Sequence, residues 1–384
     1  MDSRPSAGPR RALTATVLVA LAGLAAPAAA LAQNAYITNA GSDSVSVIDT
    51  ATNSYVFSPI PVGTTPIGVA VTPDGSRVYV ANAGSDSVSV IDTATNSVIL
   101  PAIAVGTGPV SVAVTPDGSR VYVTNESSDT VSVIDTATNT MIPPAIGVGL
   151  SPSGVAVTPD GSRVYVANAG SASVSVIDTA TNAVAGAAIG VGHTPLGVAI
   201  TPDGSRVYVA NLDSDTVSVI DTATNTVAAT IGFGSGPYGV AVTPDGSRVY
   251  VTNVGSNAVS VIDTATNAVA PPAIGVGTGP RGVAVTPDGS RVYVANGASN
   301  TVSVIDTTTN TVAATLPVGF NPVAFGLFIQ PAKPLFAGTP GRGNCIGQSV
   351  SAVTRGQGMR GAARALGYAS VAELQAAIRT YCSG

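Results

Sequence analysis

A chain of 384 residues with 45% hydrophobic and only 10% charged residues is long enough to bury a large interior and too apolar to stay disordered. Its 43 Gly and 27 Pro, with 4% aromatics and no Trp, suit many short strands joined by tight turns and argue against helices packed around bulky side chains. A net charge of -5, with Lys333 the single lysine, speaks against nucleic acid as a partner.

Arg10 and Arg11 precede a mostly apolar run from Ala12 to Ala32 that closes on Ala30-Leu31-Ala32, the small-x-small pattern a signal peptidase accommodates. Residues 1–32 therefore read as a signal peptide cleaved after Ala32. The competing reading, a membrane anchor, is weakened by the Ala-rich composition and by Pro27, so no stable span is expected after cleavage. The expected location is extracytoplasmic, either the periplasm or, as a secreted or cell-surface protein, the cell exterior.

Residues 33–331 are a repeat. The Asp of Thr-Pro-Asp-Gly recurs at 74, 117, 160, 203, 245 and 288, and the Asp of Ile-Asp-Thr at 49, 92, 135, 178, 221, 263 and 306. A period in the low forties with four apolar runs per unit is the signature of a propeller blade. In the unit starting at Val69, strand A runs from Val69 to Thr72, B from Arg77 to Ala81, C from Val88 to Ile91 and D from about Val98 to Ile103. Pro73-Asp74-Gly75 supplies a fixed φ, a side chain that bonds its own backbone and a residue free to take φ > 0, so it turns A into B. Asp92-Thr-Ala-Thr-Asn96 turns C into D by similar chemistry, and both Asp series read as structural. Val78 and Val80 face one side of strand B while Tyr79 and Ala81 face the other, so both faces of each sheet must be covered. Sheets stacked in a ring do that.

Strand A occurs near 69, 112, 155, 198, 240 and 283, and in degenerate form at Phe325-Gly-Leu-Phe-Ile-Gln330. Strands B and C occur seven times, starting just after the leader. The fold class is therefore all-β: a seven-bladed β-propeller of four-stranded antiparallel blades whose last blade joins the two ends of the repeat region, plus a small C-terminal α-helical module. Tyr-Val-Thr-Asn at 122–125 and 250–253, set among Val-Ala-Val-Thr-Pro-Asp-Gly and Ile-Asp-Thr-Ala-Thr-Asn, resembles the YVTN-type β-propeller repeat family over residues 34–331. That family is similar to lactonase-type propellers. The resemblance implies an exported protein and no single activity.

The A–B and C–D turns on one face, the lower, are nearly invariant, whereas the D–A connectors above vary. Before each connector Pro stand Thr64, Thr107, Leu150, His193, Ser235, Thr278 and Phe320; after it stand Ile67, Val110, Ser153, Leu196, Tyr238, Arg281 and Val323. His193, Tyr238, Arg281, Phe320 and Asn321 thus form a lopsided polar and aromatic sector, the candidate contact for a protein or small-ligand partner. The bland alternative is drift in solvated loops. Glu126, Asp213 and Asp215 also lie on upper loops, on different blades and toward the outer top, where solvated charge is a better reading than a metal site.

Catalytic and cofactor signals are thin. With His193 the one histidine and no elbow motif beside any Ser, neither a Ser-His-Asp triad nor a His-based metal site is expected. No haem, nucleotide or quinone motif is present, so no cofactor is expected. Strand A offers mostly Gly, Val and Ala where a lactonase-type site would want a base. The resulting expectation is a monomeric, non-enzymatic binding or surface scaffold, the alternative being a lactonase-type hydrolase working at the mouth of the central channel.

Pro331, Pro334 and Pro340, with Gly338, Gly341 and Gly343, mark a linker over about 332–343. In the following module, residues 344–384, a helix is expected from Met359 to Leu366. A second starts at the capping box Ser370-Val-Ala-Glu373, with Val371, Leu374, Ile378 and Tyr381 on one stripe. Cys345 and Cys382, the only cysteines, bracket the module. In an oxidising compartment their disulfide would contribute roughly 4 kcal/mol on the chain-entropy argument. Reactive thiols or a metal pair are the other readings.

Overall fold

Each repeat folds as one antiparallel sheet in which the alternation of strand B is buried on both sides: Val78, Tyr79, Val80 and Ala81 are all fully covered. The computed structural model describes residues 33–56, 58–331 and 370–383. Blade 1 consists of strands A (Pro66–Val71), B (Arg77–Asn82), C (Ser87–Asp92) and D (Ser97–Ala104), paired in that order. Blades 2 to 6 repeat the pattern, their A strands starting at Pro109, Pro152, Pro195, Pro237 and Pro280, except that the outer strand of blade 3 is split into Ala183–Val184 and Ile189–Gly190. Blade 7 takes strands B (Asn34–Asn39) and C (Ser44–Asp49) from the start of the repeat region, and its outer strand is two short pieces. The seven-bladed propeller is the fold the repeat predicts.

The ends meet in blade 7 as expected, but not as a regular strand. Residues 322–330 bridge strand B at Asn39↔Pro322 and Ala35↔Ile329, and the Tyr36 N–H donates to the Phe328 carbonyl at 2.8 Å. The same segment bonds on its other side to blade 1, where the Val69 and Val71 N–H groups donate to the carbonyls of Phe325 and Leu327. Gly326, at φ 128°, allows this double engagement, because a Cβ there would collide with the Val69 carbonyl. The innermost chain of blade 7 is thereby drawn into the channel against blades 1 and 2.

The larger apolar clusters are not central. Apolar clusters sit between neighbouring blades, as where Tyr79, Val88 and Ile103 of blade 1 pack on Val112, Val121 and Ile134 of blade 2. The cluster at the seam joins Tyr293 and Val304 to Tyr36, Ile48 and Val80, so the closure is packed as well as hydrogen-bonded. Around the channel neck the A strands approach so closely that Cβ atoms at Gly154, Gly197, Gly239 and Gly282 would land on the next blade's carbonyl oxygens. Those glycines set the width of the neck.

The helix Val371–Ser383 follows the expected stripe, with Leu374 and Ile378 buried. No helix among the described residues is long and apolar enough to cross a membrane. The leader, the linker, the helix expected at 359–366 and the Cys345–Cys382 pairing lie outside the described residues.

Candidate functional site

The polar side chains of the lower face are engaged in structure. Each of the seven strand-B tyrosines donates its hydroxyl to the Asn that ends the C–D turn of the next blade, from Tyr36 to Asn96 at 3.0 Å round to Tyr293 to Asn53 at 2.6 Å. The Arg that opens strand B reaches the same turn, as Arg163 Nη1 does to the Thr222 carbonyl at 2.9 Å; six blades repeat this contact. Asp160 accepts from the Thr158 hydroxyl and the Ser162 N–H, which hold its carboxyl below the usual range against a smaller opposing effect of burial. A cavity of about 480 Å³ between blades 3 and 4 is lined by these same turn residues, including Asp160, Arg163 and Asp203. It is the gap between two copies of a structural device.

The upper mouth of the channel differs. Its floor is an apolar plug in which Phe325 is buried against Ala40, Val110 and Val323, with Ile67, Leu196 and Tyr238 packed around. The Tyr238 ring meets Phe325 edge-on, with centroids 5.6 Å apart and planes at 72°. Phe325 can reach so far across because residues 322–330 have left the regular strand path. These residues lie across the upper side of the neck, and the cup is the space above them between the connectors and the B–C loops.

Three polar residues of this face are Arg281, Glu126 and Tyr238. Arg281 opens strand A of blade 6 and lies over Gly297, where an added Cβ would sit 3.3 Å from Arg281 Nε and 3.1 Å from Asn321 Oδ1. Glu126 starts the 3₁₀ turn Glu126–Ser128 of blade 2 and is anchored by its backbone, its N–H donating to the Gly108 carbonyl at 2.9 Å. Burial raises the pKa of the Tyr238 hydroxyl, Arg281 acts to lower it and the Glu126 carboxylate to raise it. The Glu126 side chain itself is exposed on the blade 2 B–C loop. Among the described residues none of these three side chains makes a hydrogen bond or ion pair, in contrast to their counterparts below.

The structure brings Tyr238, Arg281 and Asn321 together and leaves the other two members of the expected sector outside. Phe320 is 67% exposed on the upper surface, held by its backbone to Gly41 and Ser42. His193 is exposed on the blade 4 connector, beside Thr194, whose hydroxyl donates to Asp213 at 2.5 Å. Asp215 accepts the Gly236 N–H at 2.7 Å, the inter-blade clasp that Asp43, Asp86 and Asp129 also make. No three His, Cys, Asp or Glu side chains converge among the described residues. Phe325 and Gly297 were missed as site-forming residues. Gly297 could have been found, since the six other blades carry Ala, Glu, Leu or Val at its position.

The chain matches the family described as "Lactonase, 7-bladed beta-propeller" over residues 31–144, 67–231 and 233–319. It belongs to the lactonase seven-bladed β-propeller family. Among solved structures, this lactonase-family chain is similar to hydrazine synthase of Kuenenia stuttgartiensis, with 28% identity over 67% of this chain and 88% of that one and a TM-score of 0.63. Two structures named as putative 6-phosphogluconolactonases share its fold at 18% identity. For that from Bacteroides uniformis the TM-score is 0.66, and for that from Bacteroides fragilis 0.65, each covering 78% of this chain and 99% of the other. Comparison with curated proteins finds no match.

Membership overturns the expectation of a non-enzymatic scaffold and favours the lactonase-type alternative. The physical reason for the error is where a base was sought. Strand A does offer only small and apolar residues at most blades, and the one Glu of the propeller, Glu126, stands on an upper B–C loop instead.

Proposed function

We propose that the protein hydrolyses a cyclic ester, a lactone, in the cup above the channel neck. Glu126 accepts a proton from water as its oxygen adds to the ring carbonyl carbon. Tyr238 and Arg281 donate to the oxyanion that forms. Collapse breaks the ring C–O bond, the departing alkoxide takes the proton back from Glu126, and the product is an open-chain hydroxy acid. A phenol whose pKa burial has raised stays protonated at neutral pH, as a donor must.

The observation that carries this reading is that the Tyr238 phenol and the Arg281 guanidinium, neither in a hydrogen bond or ion pair, lie beside an apolar floor, with the one Glu of the propeller, Glu126, on a loop of the same face. The test is acid release from a panel of lactones at constant pH. Turnover is expected, with Glu126→Gln and Tyr238→Phe each lowering kcat/KM by about 100-fold or more. Turnover undiminished in both variants, or none on any lactone, would sink it.

We infer in addition that the chain is a YVTN-type member of the family, exported by residues 1–32 and working as a monomer with Cys345 and Cys382 paired. The Tyr-Val-Thr-Asn segments and the Ala30-Leu31-Ala32 cleavage pattern support this. A mature protein starting at Gln33, with no free thiol and the mass of one chain, is the expected result.

A further inference from the structure

The cup has a composition that selects among lactones. Two rings of seven positions surround it: the residue after each connector Pro and the residue after each strand-B Asn. Ten of the fourteen are aliphatic or Gly, and the exceptions are Glu126, Ser153, Tyr238 and Arg281. Blades 4 and 5 supply the apolar side chains, in which Leu196 and the Tyr238 ring pack on Phe325 while half-buried Leu212 lies against the Gly236 connector. Blades 2 and 6 supply the charges.

Those charges do not suit an anionic substrate. Arg281 is the only propeller Arg outside the lower belt, and the upper loops carry the carboxylates of Glu126 on blade 2 and Asp213 on blade 4. A phosphorylated sugar lactone would need several donors converging on its phosphate and polar partners for its hydroxyls. The cup offers it one guanidinium and a floor of Val110, Val323 and Phe325.

We propose that the substrate is an uncharged lactone bearing a hydrocarbon substituent, with its carbonyl toward Arg281 and its alkyl chain on the Leu196–Leu212–Tyr238 wall. This rests on the hydrolase reading for the identity of the reacting group and on the wall for the substituent. Burial of each added methylene contributes binding worth about fourfold, until the wall is covered.

The test is a series of γ-lactones with unbranched alkyl chains of increasing length, run beside a phosphorylated sugar lactone. The expected result is kcat/KM rising about threefold to fourfold per methylene over the first few carbons, negligible turnover of the phosphorylated compound, and a flattened series in Leu212→Ser. Alkyl-substituted γ-lactams, which resist ring opening, are titrated calorimetrically in parallel, and their affinity is expected to climb with chain length and to drop in Leu212→Ser. If no lactone turns over but lactam affinity climbs, the hydrolase reading fails and the apolar specificity stands. A flat series in both measurements, or preference for the phosphorylated lactone, overturns the inference while leaving hydrolysis intact.

Discussion

The lower and upper faces are made from the same repeat, yet side chains of one type have opposite fates on them. Below, Arg163 gives its guanidinium to the next blade's carbonyl and Tyr165 its hydroxyl to Asn225 at 2.7 Å. Above, Arg281 and Tyr238 have no such partner. The lower belt repeats because every blade must be fastened to its neighbour in one geometry. The upper mouth lies in the middle of the ring, where side chains from non-adjacent blades can meet and no repeat rule constrains them. Variation among blades is thus a map of what the fold leaves free.

The largest expected break in this comparison is Tyr165→Ala, which removes a fully buried ring from between two blades. A loss of about 3–5 kcal/mol is expected, read by chemical denaturation. An equal truncation at half-buried Tyr238 should cost visibly less stability and far more activity. Next is the pair of arginines. Arg163→Ala forfeits a charge-assisted hydrogen bond worth about 1.5–3 kcal/mol, whereas Arg281→Ala is expected to change stability by less than about 0.5 kcal/mol while depressing lactone turnover. Equal stability losses at 163 and 281 would erase the distinction between the faces.

Much of this was legible in the sequence, and the reasons can be given residue by residue. The blade count followed from Asp49 and its six copies, one for each strand C, and the closure from the missing Asp-Gly turn after Phe325. The inward-facing apolar pattern of Val78, Tyr79, Val80 and Ala81 required a partner on each side. Repeats encode neighbours well because the same contact is written seven times. The site is written once, across the ring: Phe325, Val110 and Tyr238 meet from blades 7, 2 and 5, and no spacing in the chain announces it. Phe325 was read as a strand residue and turns out to floor the cup, because the double hydrogen bonding of residues 322–330 could not be inferred from a degenerate repeat.

Solution pH should act on the lower belt from both ends. Twelve belt carboxyls are held below their ordinary value, for instance Asp160 by Thr158 and Ser162. Their stabilisation is complete above about pH 4 and is lost as pH falls below it. The seven belt phenols are all raised by burial, Tyr36 to about 12. A raised phenol favours the fold below about pH 10 and ceases to do so as pH climbs through the folded value. Thermal melts across pH should show a broad plateau bounded by these two limits. A melting temperature that declines steadily through neutral pH would show that the belt does not set stability.

The smallest expected effect is at His193, and it sharpens the comparison because sequence reasoning grouped this residue with Tyr238 and Arg281. It stands exposed on the blade 4 connector, and the nearest specific bond, Thr194 to Asp213, does not involve its ring. Replacement by Ala removes no buried contact and no donor over the cup. Stability should shift by less than about 0.5 kcal/mol, and kcat/KM on a lactone should stay within about twofold. A large loss of turnover in His193→Ala would move the reacting centre from the channel axis to the blade 4 loops, and Glu126 would then be the bystander.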